Sequence, residues 1–140
     1  MPKGKEETAN KKSDNIKIYK ILSYIGFLWI IGLFVPEKND KKLRFHVGQG
    51  IILTIFEFCA SFVVSIVNNL IVANIFRHEI MYFGYPTGVY NVSGVGVAIQ
   101  TILNLALVAV TIAYAVIGIM NVVNNKEKEL PIIGKLAFYK

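Results

Sequence analysis

The stretch KKLRFHVGQGIILTIFEF, Lys41–Phe58, decides how this chain is read. A basic cluster ending in a His runs without a break into apolar residues, which then carry one acid, Glu57. Working outward, Glu57 is the only charge between Val47 and Phe76, and there is none between Ile80 and Asn125. Each run exceeds the roughly 20 apolar residues that cross a bilayer as a helix. A chain of 140 residues cannot hide two such helices in a soluble core. The predicted class is an all-α integral membrane protein. It is a small bundle with two long transmembrane helices, one short N-terminal apolar helix and a C-terminal amphipathic segment.

Composition agrees with this class. The chain is 54% hydrophobic and only 17% charged, where soluble domains carry about 25% charged residues. The formal net charge is +6, but the cations flank apolar runs and no nucleic-acid-binding motif accompanies them. The expected partners are therefore the bilayer and anionic lipid headgroups, together with a protein partner or further copies of the chain, and not nucleic acid. The one cysteine, Cys59, lies inside a span, so neither a disulfide framework nor a Cys-based metal site is available within one chain. The opening MPKGKEETANKKSDNIK is too long a polar stretch for a secretory signal, and no small-residue cleavage site follows the first apolar run. The segment is expected to be retained.

Residues 1–15 are expected to be a disordered basic N-terminus, 16–123 the transmembrane helical domain, and 124–140 an amphipathic tail. Within the domain the pattern predicts helices over 16–35, 43–76 and 94–123. An aromatic, Gly- and Pro-punctuated loop is expected at 80–94. Tyr82, Phe83, Tyr85 and Tyr90 in it suit a membrane interface. Pro131 is placed in the first turn of a surface helix. The clean part of the first apolar segment, Ile21–Val35, is 15 residues. That is about 22 Å of helix, short of the roughly 30 Å hydrocarbon core.

Two topologies fit the cations. Lys and Arg number six through Lys20, four in 37–44, one in 77–94 and four in 124–140. Three full crossings put the basic N-terminus opposite the basic connector, against the positive-inside tendency. If 16–35 is re-entrant, the N-terminus, connector and tail share the cytoplasmic side. Gly26 and Gly32 ease the bend, but a re-entrant backbone must be covered by protein.

At 100° per residue, His46, Gly50, Thr54, Glu57, Ser61, Ser65 and Asn68 fall within one sector of about 100°. Ser93, Gly96, Gln100, Asn104, Thr111, Tyr114, Gly118 and Asn121 likewise share one side of the third helix. In a membrane such stripes face protein, so the two are expected to face each other or to line a polar crevice. Glu57 has two readings: a neutral hydrogen-bonded residue gluing helices, or a proton- or cation-sensitive site. Its candidate partners are Arg44, His46, Gln100, Asn104, Thr111 and Tyr114.

His46 and His78 bracket one span and cannot share a metal, and zinc needs three or four convergent ligands. No nucleophile-elbow, phosphate-loop or zinc-protease motif is present. Ser61 and Ser65 read as packing hydroxyls. No enzyme activity, cofactor or metal is expected.

The stretch LSYIGFLWIIGLFVPEKNDKKLRFHVGQGIIL resembles the Tic20-like, DUF4870 type of small bacterial and archaeal membrane proteins. The likeness rests on Leu22-Ser23-Tyr24, Pro36, Arg44-Phe45-His46 and Gln49, with Pro131 and Gly134 in the tail, and covers most of residues 20–136. It implies that Arg44, Phe45, His46 and Gln49 are site candidates. Plastid relatives take part in protein import, which makes a subunit or accessory factor of a membrane complex the expected role. The alternative is a small homo-oligomeric transporter or channel with Glu57 in its pathway. The expected location is the bacterial or archaeal cytoplasmic membrane.

Overall fold

A computed structural model describes residues 3–139. It is mostly helical, and two of its helices, Lys41–Ile75 and Gly94–Val123, are long and apolar enough to cross a membrane. The chain divides into two compact units, one of residues 1–57 and 111–140, the other of residues 58–110.

In the first unit, helix α1 spans Lys3–Leu22. This differs from the disorder expected over residues 1–15. Lys, Glu and Ala are good helix formers, and after Gly4 no Gly or Pro interrupts the chain until Gly26. The single helix expected over 16–35 is also absent, because the segment is broken. Ser23 turns its hydroxyl back onto the Tyr19 carbonyl at 2.9 Å, and Gly26 takes the left-handed conformation at φ 50°. A tight 3-10 turn, Gly26–Leu28, and the short helix α2, Trp29–Phe34, follow.

These pieces form an apolar hairpin against helix α3, Lys41–Ile75. Asp40 starts α3 by accepting the Leu43 N–H on its side chain at 2.9 Å, an N-cap of the usual kind. The hairpin tip lies beside Thr54, whose hydroxyl donates to the Gly26 carbonyl and accepts from Trp29 Nε1 at 3.0 Å. The returning limb packs Gly32 on Val47, and Val35 joins Leu43 and Val47 in a buried cluster. From Leu43 to Thr54 is about 17 Å along the helix. The segment thus runs along α3 for about half the roughly 30 Å of a hydrocarbon core and comes back.

Helix α4, Gly94–Val123, matches its expected bounds. It ends in a Schellman arrangement, with Lys126 N–H on the Asn121 carbonyl, Asn125 N–H on Val122 and Asn125 at φ 52°. The tail is not the surface helix expected of it. Only Gly134–Leu136 is helical, as one 3-10 turn. Leu130 and Ile133 are buried with Tyr24, Leu53 and Val122, so the tail's apolar residues complete this unit's core.

In the second unit, α3 widens into a π-helical stretch at Val67–Val72 and ends at Ile75. The expected loop is a β-hairpin, so the fold is not purely helical. Strand β1, Arg77–Tyr82, pairs antiparallel with β2, Tyr85–Val92. Phe83 and Gly84 both have positive φ, 49° and 84°, the geometry that joins two strands in register. Gly and Pro signalled a loop, but the β-branched and aromatic residues between them suit strands.

Gly50 tests the packing. A Cβ there would collide with the Ser23 backbone carbonyl and stand 3.2 Å from Trp29 Cβ, whereas one at Gly94 would meet nothing within 4 Å. Gly50→Ala should therefore cost about 1–3 kcal/mol and Gly94→Ala stay within about 0.5 kcal/mol, read from thermal unfolding in detergent.

Candidate functional site

After an exposed start at Lys41 and Lys42, α3 becomes buried on every side. His46, Val47, Gly48, Gln49 and Gly50 are all buried, and Gln49 is 0% exposed. Gln49 meets the turn at residues 130–134, whose Leu130 N–H is left without a turn partner of its own, and buried backbone groups need partners. Its Oε1 accepts the Leu130 N–H at 2.9 Å. Its Nε2 donates to the Gly134 carbonyl at 3.0 Å. One side chain thus clamps both ends of a turn in the tail. Asn121 adds a second tie, donating from Nδ2 to the Lys128 carbonyl at 3.1 Å.

His46 faces the apolar hairpin instead. Its Nδ1 shares a 2.8 Å hydrogen bond with the Tyr24 hydroxyl, and its ring meets the Tyr24 and Phe45 rings edge-on. The Tyr24 ring in turn lies against Gly118 of α4, where any side chain would overlap it. The Arg44 guanidinium stacks 4.9 Å over the Tyr139 ring, while its Nε is buried with no acceptor in reach. Arg44, Phe45, His46 and Gln49 therefore make one collar that gathers hairpin, helices and tail around the start of α3.

A shallower basic region adjoins it. Lys42 pairs with Glu127 at 3.4 Å across an exposed gap, a contact of little energetic weight. Burial holds the Lys20 ammonium below its ordinary pKa; Asp40 and Glu127 pull it upward and Lys42 downward.

The remaining sequence candidates do not converge on this collar. Glu57 is half-buried, and among the described residues it has no hydrogen bond or ion pair, so none of its six expected partners holds it. Tyr114 packs edge-on against Phe56 at 5.7 Å, and Thr111 is half-buried. In the other unit, the Asn68 carbonyl accepts Gln100 Nε2 at 3.1 Å as well as the Ala73 N–H. The π-helical widening makes the second contact, since a regular α-helix would offer that carbonyl the Val72 N–H. Asn68 Oδ1 is buried without a donor. Asn104 is exposed and bonds the Gln100 carbonyl of its own helix. Among the described residues, no three His, Cys, Asp or Glu side chains gather as a metal set.

Sequence reasoning gave Tyr24 and Gly134 only through family likeness and missed Trp29 as a polar partner. Gln49 lies between two glycines, and that spacing was the local signal of close backbone approach on both sides. No family model, curated protein or solved structure matches this chain.

The collar's chemistry is that of a latch, since its polar groups are spent on backbone and ring partners. Gln49→Leu strands the buried Leu130 N–H, a loss of about 1–3 kcal/mol, and leaves the Gly134 carbonyl only the Ala137 N–H. It should lower the melting temperature sharply and open residues 130–139 to protease. Tyr24→Phe, which loses one hydrogen bond, should cost about 1 kcal/mol and leave the tail protected.

Proposed function

We propose that this chain is a multi-pass integral membrane protein that acts as a non-enzymatic subunit or accessory factor of a membrane complex. The observation that carries the membrane reading is the exposure of its two long helices. The most apolar stretches of α3 and α4 are only 22% and 6% buried inside the protein. Phe62, Val63, Ile66 and Leu70 of α3, and Ile102, Leu105 and Val108 of α4, are exposed to their surroundings. An apolar surface of that extent is unsuited to water, and lipid is the cover that suits helices of this length.

Within a membrane, the broken hairpin is re-entrant. Its backbone is covered by α3, as the absence of water requires. In keeping with the positive-inside tendency, the basic N-terminal helix, connector and tail are assigned to the cytoplasmic side, and segment 77–94, with its single cation, is not. The accessory role rests on the likeness to the Tic20-like, DUF4870 type, and the collar supports it. The residues carrying that likeness hold a tail and hairpin in place, as a docking platform requires. A second reading, a homo-oligomeric transporter or channel, is favoured by Glu57, a half-buried acid on an apolar helix with no hydrogen bond or ion pair among the described residues.

Carbonate-resistant sedimentation with membranes should be complete; release into the soluble fraction would end the membrane reading. Single cysteines at Asn39 and Thr87, in a Cys59→Ala background, should label from opposite sides. Crosslinking from 38–46 and 126–136 should capture a discrete partner in stoichiometric yield. Self-crosslinks alone, with ion flux in liposomes abolished by Glu57→Gln, would favour the transporter.

A further inference from the structure

Beside the collar, the first unit holds a cavity of about 270 Å³ lined by Ser13, Ile16, Lys17, Lys20, Asp40, Lys42, Val122 and Asn125. Three lysines from two separate elements line it. Lys17 and Lys20 share one face of α1 through their i, i+3 spacing, and Lys42 comes from the first turn of α3. The acids nearby are already engaged. The Asp40 carboxylate caps α3 through the Leu43 N–H, and Glu127 lies 3.4 Å from Lys42. Lys20 is half-buried, with no carboxylate within salt-bridge distance among the described residues. Ser13 and Asn125 add neutral donors at the rim. A lysine group with one half-buried ammonium is stabilised by an anion that accepts several hydrogen bonds at once.

We propose that this cavity binds the phosphate of an anionic lipid headgroup or of a free phosphate ester. Size sets the class. At roughly 30 Å³ per water the space holds about nine waters, enough for a phosphate and a short polyol but below the range of most larger ligands. Val122 and Ile16 supply an apolar wall for the first carbons of the ester. The position suits a lipid source, because the cavity sits where the basic ends of α1 and α3 meet the end of α4, at the depth of headgroups in the proposed topology. The inference deepens the membrane reading only in that choice of source. Binding in detergent is measured independently of membrane extraction, so the two ideas fail separately.

The test uses the full chain in a neutral detergent. Native mass spectrometry should find one phosphatidylglycerol retained per chain in preference to phosphatidylcholine. In the unmutated protein, lysine acetylation footprinting should show Lys17, Lys20 and Lys42 protected by phosphatidylglycerol, with Lys11 and Lys38 unprotected. Lys20→Gln should weaken binding about tenfold and Lys11→Gln should leave it unchanged. Protection by phosphatidylglycerol but not by inorganic phosphate assigns a lipid source, and equal protection by inorganic phosphate assigns a free phosphate ester. No protection by either probe, or equal protection of Lys11 and Lys38, overturns the proposal; this footprint does not depend on any variant folding.

Discussion

A side-chain amide with no access to water must find partners for both its ends, and Gln49 finds them in the tail, some 80 residues away in sequence. That requirement organises the first unit. It fixes the Leu130 N–H and adds a second donor to the Gly134 carbonyl, and so places Leu130 and Ile133 in the core with Tyr24, Leu53 and Val122. A buried amide unsatisfied at either end costs more than an apolar residue in its place. The contact therefore specifies the tail's position as well as stabilising it.

The same constraint explains the small residues around it. For Gln49 to reach the tail, the neighbouring faces of α3 must lie within backbone distance of other segments. Gly48 meets the Tyr139 carbonyl and Gly50 the Ser23 carbonyl. In lipid, where burial of apolar surface does not drive helices together, close backbone approach and hydrogen bonds are the available attractions. The collar combines both over five consecutive residues. Many bulky apolar side chains of α3 and α4 are exposed, which suits the proposed lipid-facing surface.

The polar stripes take on a more specific meaning in this light. They read as the wall of a crevice, yet their groups are mostly spent locally. Thr54 bonds the hairpin tip and its own helix, Asn104 its own helix, and Gln100 a carbonyl that the π-helical stretch leaves accessible. Glu57 stands apart from this economy of satisfied groups, and so does the Lys17–Lys20–Lys42 cavity. Both bring ionisable side chains to places with few protein partners among the described residues.

The sequence by itself determined the two long helices and their limits to within two residues, which follow from apolar run length. The polar faces were legible only in part: Gly96, Gly118 and Asn121 are buried, but Ser61, Ser65 and Asn104 are exposed. Arg44 and His46 were candidates as partners of Glu57, and together with Gln49 as what the family resemblance implied. The break at Ser23–Gly26, the strand pairing over 77–92 and the burial of the tail were decided by tertiary structure. For the break and the tail the deciding partner is remote, Thr54 for the hairpin tip and Gln49 for Leu130 and Gly134. A hydrogen bond between residues so far apart leaves no periodic trace in the segment that it bends or buries. For β1 the partner is the adjacent β2, and a Gly- and Pro-punctuated stretch reads as a loop until its strands are seen paired.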